Sequence, residues 1–360
     1  MVKDLTHHLL RRKSFGGRIV NPIDLGAVMK VRTQVQSSPI ADEVSALISV
    51  IRPILDGLLY GLRKDIVDNA GGYEGVKLKL LPRLYRRGDG DVGLCFEYAV
   101  HNALKSNTGP VCERVADALK ICKVPGNNVS SLLFAVEKSG KLDLVDSVRD
   151  ALTDESRLLH GSRGRPVKLK KHIDRVASAF HRPNTRKALP QSISGLWKAD
   201  LFLGNSDDDG WVGTSVKVNA KDLRAVAGLR VGIVPTRQGK RDRVRKDEQK
   251  NLVICPLPYD GSFMELFYAG WRIVQQFIHA DAKLPGEDFL PLPHERQVAR
   301  ELEMRRESSV RKVVEALEVQ AQAGLIVTNE KKARVITERA SEVAAIAEAI
   351  VAPIPVSTSS

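Results

Sequence analysis

The chain has 360 residues, 43% of them hydrophobic, and carries 56 Lys and Arg against 43 Asp and Glu, a formal net charge of +13. That apolar share excludes a disordered polyelectrolyte and supports a sizeable core, and at roughly 100–200 residues per domain the length suggests two or three domains. The charge excess, with a pI of about 9.6, points to an anionic partner, nucleic acid before others, with a basic but non-binding surface as the alternative.

The start, MVKDLTHHLLRRKSFGG, lacks the apolar core of a signal peptide. No uncharged apolar run approaches the length that spans a membrane, so no membrane association is expected. From Ala41 to about Asn69, the positions Val44, Leu47, Ile48, Ile51, Leu55, Leu58, Leu59, Leu62 and Ile66 recur at three and four. The spacing predicts an amphipathic helix, with Pro53 to kink or divide it and Gly71 and Gly72 to end it. The cluster GDGDVG reads as a turn opening a second helix, whose apolar stripe is Phe96, Val100, Ala103 and Leu104. Glu97, His101 and Lys105 lie outside that stripe at four-residue spacing and define a polar face. His101 reads as an ordinary polar-face histidine or as a proton shuttle.

Residues 110–158 read as three short helices separated by KVPGNN and EKSGK. The next stretch is strongly basic: Arg157, Arg163, Arg165, Lys168, Lys170, Lys171, Arg175, Arg182, Arg186 and Lys187 are accompanied only by Asp174. Such clustering is the footprint of phosphate contact, with a solvated loop as the alternative.

After Pro190 the period changes to two, and LWKADLFLG, WVGTSVKVN, LRVGIVP and NLVICPLP read as four strands. A second basic cluster, TRQGKRDRVRK, follows the third strand. Arg241, Arg243 and Arg245 there join Arg163, Arg165, Lys168, Lys170 and Lys171 as candidate nucleic-acid contacts. A helix from about Ser262 to Ala280 is followed by a Pro-rich linker, KLPGEDFLPLPHE. Residues 294–350 are helical in pattern, broken near Gly324. Their stripe of Leu302, Val310, Val313, Val314 and Leu317 suits packing within the chain or homo-oligomerisation. The tail APIPVSTSS reads as disordered. Cys95, Cys112, Cys122 and Cys255 form no C-x-x-C pair and have no His at zinc spacing, so they are expected to be reduced and buried, in a cytoplasmic protein.

The segment GLWKADLFLGNSDDDGWVGTSVKVN, from Gly195 to Asn219, places charges inside strands. A hairpin in which Gly204 faces Trp211 sets Asp200 opposite Ser215. Alternation then puts Lys217 on the side of Ser215, while a slip of one residue would destroy the arrangement. The loop NSDDDG resembles the start of a calcium loop but has Val216 where such a loop needs Glu, so it reads as a polar turn. If the Glu97 helix packs beside the sheet, Glu97 reaches Asp200. Two carboxylates and a lysine on such a seam suit Mg²⁺ or Mn²⁺ and phosphoryl chemistry. The alternatives are an Asp200 that bonds a local backbone group or pairs with Lys217, and a Glu97 that is a solvated helix residue.

Helix with Glu97 (GLCFEYAVHNAL), strand with Asp200 (WKADLFLG), strand with Ser215 and Lys217 (TSVKVN), two more strands and a helix: this order resembles the PD-(D/E)xK nuclease superfamily. The likeness covers about residues 85–105 and 193–280. It implies an α/β fold with a restriction-endonuclease-like mixed sheet flanked by helices, carrying helical N-terminal, inserted and C-terminal regions. It also implies a Mg²⁺-dependent endonuclease acting on DNA, with Glu97 and Asp200 as metal ligands and Lys217, Asp200, Glu97 and Ser215 as catalytic residues. A restriction or defence role follows from family habit alone. Ala199 stands where the family name has Pro, and Ser215 where it has an acid. Either Glu97 supplies the missing charge, or the chain is an inactive nucleic-acid-binding relative. A structural or interaction protein is the third reading. The parts expected are a helical N-terminal region (1–84), the core (85–105 and 190–283), a helical and basic insertion (106–189), a C-terminal helical region (284–350) and the tail (351–360).

Overall fold

The structure is a computed structural model. It describes residues 2–4, 32–34, 39–81, 91–124, 126, 128–134, 142–159, 166–181, 198–205, 208–224, 228–237, 242–259, 262–279, 290 and 292–320. The chain divides into two compact units, residues 1–48 with 317–360 and residues 49–316. In the first, β1 (Val2–Asp4) pairs antiparallel with β2 (Arg32–Gln34). Helix α1 (Pro39–Gly61) carries the chain from one unit to the other and runs through Pro53 without ending. The break expected at that proline falls instead at Leu62 and Arg63, before α2 (Lys64–Asn69). Gly71 and Gly72 then end the helical stretch at φ of 80° and 92°, a left-handed backbone that glycine adopts without steric cost.

In the second unit, α3 (Asp91–Lys105) and α4 (Gly109–Ile121) precede β3 (Val129–Leu133), and α5 (Leu142–Ala151) follows. The middle of the three helices expected over 110–158 is thus a strand. VSSLL is too short for its periodicity to choose, and the partner chooses for it: β3 pairs antiparallel along its whole length with β6 (Leu201–Asn205). Two short strands, β4 (Arg157–Leu158) and β5 (Val167–Lys168), come before α6 (Leu169–His181). β6 is followed by β7 (Gly210–Val216), β8 (Arg230–Pro235), β9 (Arg245–Asp247), β10 (Leu252–Leu257) and α7 (Phe263–His279). β9 was not expected, because three charged residues carry no strand signal; it is an edge strand, where charge is tolerated.

The result is an α/β architecture with an open, mixed eight-stranded sheet flanked by helices, in the order β3-β6-β7-β8-β10-β9 with β4 and β5 joined at β7. β7 pairs antiparallel with β6 and parallel with β8, and β8 pairs parallel with β10. Alternation assigns the two sides of the sheet. Ser131 of β3 shares a hydrogen bond with His101 of α3, and Cys255 of β10 donates to the Arg114 carbonyl of α4, so α3 and α4 cover one side. On the other, Phe202 and Trp211 pack with Val145 and Val148 of α5 and Ile173 and Val176 of α6.

α3 is enclosed from behind as well. Phe96 lies 5.1 Å from Phe267 of α7. Gly57 of α1 lets Cys95 approach so closely that a Cβ there would stand 3.0 Å from the Cys95 Cα. Residues 76–80 meet the C-terminal helices α8 (Pro293–Met304) and α9 (Val310–Gln320): Leu78 N–H donates to the Ser308 carbonyl and Val310 N–H to the Val76 carbonyl. Leu302, Val310, Val313, Val314 and Leu317, the stripe expected to serve packing or oligomerisation, are buried within the chain. Residues 321–360, including the expected break at Gly324 and the tail, lie outside the described residues. Among the described residues one helix, Asp42–Gly61, is long and apolar enough to cross a membrane by length and composition, and 67% of its most apolar window is buried in the protein.

Candidate active site

The hairpin of β6 and β7 has the expected register: Leu201 faces Thr214 and Gly204 faces Trp211, with one further pair, Asn205 and Gly210, toward the turn. Asp200 stands where β6 begins and is held from three directions. Its carbonyl accepts from Phe134 N–H just after β3, and its N–H donates to the Thr214 carbonyl. Its Oδ2 accepts from Val216 N–H at 2.8 Å, taking the place a neighbouring strand's carbonyl would fill. The same Oδ2 accepts from Lys217 Nζ at 2.6 Å. Lys217 N–H donates to the Ile233 carbonyl, so the strand conformation continues through it.

Glu97 completes the cluster, its Oε1 lying 3.6 Å from Lys217 Nζ. The polar helix face expected for Glu97 does not exist at this level. Glu97 is 0% exposed, because α3 runs between the sheet and the helices α1 and α7. Of the readings open from sequence, the solvated Glu97 is thus excluded, and both structural roles considered for Asp200, backbone bonding and pairing with Lys217, are present. Ser215 is half-buried, pairs with Gly232 of β8 and lies on the same side of β7 as Lys217 by alternation.

Burial lowers the pKa of Lys217, but the charges of Asp200 and Glu97 and their hydrogen bonds outweigh it and hold the ammonium above its ordinary range. The ammonium is therefore charged at neutral pH and 25% exposed, while both carboxylates beneath it are buried. Removing either sign alone leaves an uncompensated buried charge.

Glu97 and Asp200 meet at one point that already draws a cation. That donor set fits Mg²⁺ or Mn²⁺, which are bound through one or two carboxylates and keep several waters. Among the described residues no group of three or more His, Cys, Asp and Glu gathers, so an ion here would rely on the two carboxylates and water. Glu97 and Asp200 are the residues that would hold it.

His101, one turn beyond Glu97, shares a 3.0 Å hydrogen bond between its Nδ1 and Ser131 Oγ. Burial first, and the charge of Lys105 second, lower its pKa to about 4. It is a neutral, hydrogen-bonded histidine at physiological pH. A histidine with a depressed folded pKa contributes stability that is complete above its unfolded value of about 6.5 and is lost as pH falls toward the folded value. We expect His101→Asn, which does not titrate, to lose about 3 kcal/mol less than the parent between about pH 7 and about pH 4. Parallel urea-unfolding profiles for the two proteins would show that His101 does not titrate in this way.

In the NSDDDG loop Asp208 and Asp209 form a turn, while Ser206 and Asp207 lie outside the described residues. Asp209 accepts from Ser156 Oγ at 2.7 Å, from Trp211 Nε1 at 3.1 Å and from the Thr153 hydroxyl. Burial raises its pKa, but these donors outweigh that and hold it low. Asp208 pairs with Arg157 at 3.4 Å.

The basic segment beside it is less unbalanced in space than in sequence, since Lys168 pairs with Glu155 at 3.4 Å and Lys170 with Asp154 at 3.3 Å. These pairs are solvent-facing and contribute at most about 1 kcal/mol each, so phosphate can displace them. Lys171, Arg243 and Arg245 are exposed, and Arg163, Arg165 and Arg241 lie outside the described residues. Arg237, the first arginine of the second basic cluster, and Lys250, just beyond it, are exposed as well and adjoin core strands.

The four cysteines are free, three of them buried. Burial pushes the Cys122 and Cys255 thiols up to about 12 and raises Cys95 and Cys112 as well, so none has thiolate character suited to nucleophilic chemistry.

Comparison with family models, with curated proteins and with solved structures finds no match to this chain.

Proposed function

We propose that this protein is a metal-dependent nuclease that hydrolyses DNA phosphodiester bonds, on a core of the PD-(D/E)xK, restriction-endonuclease-like kind. The observation that carries the reading is the convergence of Glu97, Asp200 and Lys217, drawn from a helix and two strands far apart in sequence, on one partly exposed point. The order of elements supports it: α3 with Glu97, Asp200 just before β6, Lys217 just after β7, then β8, the short edge strand β9, β10 and α7. Glu97 and Asp200 hold Mg²⁺ or Mn²⁺, which when bound supplies an acidified water and neutralises phosphate charge. Lys217 turns from its carboxylate partners toward the scissile phosphate, orienting the attacking water and stabilising developing negative charge. The Ser215 hydroxyl, on the same side of β7, hydrogen-bonds water. Lys168, Lys170, Lys171 and Arg243 contact phosphates along the duplex, whereas Arg245, on the edge strand β9, contacts those of the strand led toward Lys217. A cytoplasmic setting, in restriction or defence against foreign DNA, accords with this activity and with the free thiols.

A second reading, a nucleic-acid-binding protein that has lost catalysis, is favoured by the tight Lys217–Asp200 pair and by Ser215 standing where an acid would strengthen metal binding. The deciding assay incubates plasmid and linear DNA with the purified protein in Mg²⁺, in Mn²⁺ and in EDTA. Cleavage in either metal and none in EDTA is expected. Retarded but intact DNA under all three conditions would replace the nuclease by the binding protein.

A further inference from the structure

We propose that the open half of the sheet beside Lys217 is a groove for an unpaired nucleic-acid strand. The strand registers place Ser215 of β7, Gly232 of β8, Ile254 of β10 and Arg245 of β9 in one row across the sheet. Alternation puts Lys217, Val234 and Pro256 one step further on the same side. Over β6 and the first half of β7 this side is covered by α5 and α6. Over β8, β10 and β9 it forms a groove of about 300 Å³.

The floor of the groove is apolar, from Val234, Leu252, Ile254 and Pro256, and Leu223 forms a wall. That wall depends on Gly232: a Cβ there would meet Leu223 Cδ1 at 2.8 Å and lift the leucine away. The rim is cationic, with Arg237, Arg245 and Lys250 against the single acid Asp242. Lys250 pairs with Asp247 at 3.7 Å, whereas Arg237 and Arg245 are exposed and make no ion pair among the described residues.

Charge and shape together select the occupant. Guanidinium groups without carboxylate partners recognise phosphate. An apolar floor between them receives sugars and base faces, as sites for single strands do. A duplex presents its phosphates outward and has no use for that floor. At about 300 Å³, the low end of ligand-pocket volumes, the groove is too small for a duplex to enter. At ~4.8 Å per strand, Arg245 lies about 14 Å across the sheet from Ser215, which precedes Lys217 by two residues in the chain. The inference rests on the nuclease reading for its choice of nucleic acid, and refines it by giving the substrate a single-stranded segment.

The test measures fluorescence anisotropy in EDTA, so that no cleavage intervenes, with a labelled single strand of about 12 nucleotides and a blunt duplex of the same sequence. The full chain is compared with R237A/R245A, whose altered side chains are exposed; thermal unfolding checks that the variant is folded. The variant is expected to bind the single strand about 10-fold or more weakly, with a log–log salt slope reduced by about 1.4 for two lost contacts at ~0.7 each, and to bind the duplex as the parent does. Unchanged single-strand affinity, an equal loss for the duplex, or competition by a mononucleotide as effective per phosphate as the strand would each overturn the groove. The nuclease reading fails differently: metal-dependent cleavage is then absent while groove binding persists.

Discussion

Asp200→Asn is expected to abolish metal-dependent cleavage while leaving a folded protein that binds DNA as tightly as the parent or more so. The amide keeps an oxygen to accept from Val216 N–H, so the register of β6 and β7 survives. It loses the charge that holds Lys217 and, in the nuclease reading, one of the two carboxylates that bind metal. Losing such an electrostatic element at a reacting centre costs on the order of 10²–10³-fold in rate. Removing a negative charge that faces phosphate does not weaken binding and can strengthen it. The measurement is plasmid cleavage in Mg²⁺ and Mn²⁺ beside DNA binding in EDTA and a thermal melt. Parent-like cleavage would remove Asp200 from the site, and a parallel collapse of binding, cleavage and melting temperature would show that its role is to hold the strands together.

Lys217→Met has the larger expected effect on stability. It leaves Glu97 and Asp200 buried without their shared cation. Breaking a buried pair from one side costs about 3–5 kcal/mol, and partial exposure of Lys217 places the cost toward the lower figure. Even so, that is a large part of the 5–15 kcal/mol typical of a folded protein.

The pH dependence has a definite sign. The folded protein holds the Lys217 ammonium above its ordinary range. A raised folded pKa contributes stability that is present below the unfolded value of about 10.4 and is lost as pH rises through the folded value. The variant has no ammonium to lose and should therefore fall less in stability than the parent above about pH 10. Mg²⁺ or Mn²⁺ should also restore stability by standing in for the ammonium, by about 2.7 kcal/mol at a concentration 100 times Kd. This readout needs no cleavage. If neither metal raises the melting temperature of Lys217→Met and its pH profile tracks the parent's, the two carboxylates do not form a cation site.

The hairpin was readable from the chain alone, because two short apolar runs flank a polar turn, but its register was an assumption, since strands buried on both sides carry no pattern that fixes it. That register set Asp200 opposite Ser215 and two residues from Lys217, and the observed pairing of Gly204 with Trp211 preserves it. The long helix of Phe263–His279 was equally plain from its period. Local sequence determines such features because amphipathic spacing is a property of a single element.

Whether a face is solvated, however, depends on what packs against it. Glu97 carries the spacing of a polar face and is nonetheless completely buried. Gly57 admits α1 against one side of α3, Phe267 of α7 closes another and the sheet a third. VSSLL became a strand because the β6 edge lay beside it, and RKD became one because an edge strand keeps its charges in water. The groove beside Lys217 is invisible along the chain for the same reason, since its row of Ser215, Gly232, Ile254 and Arg245 exists only once four strands have settled into register. Burial and long-range pairing are sums over partners distant in sequence, and no local window contains them.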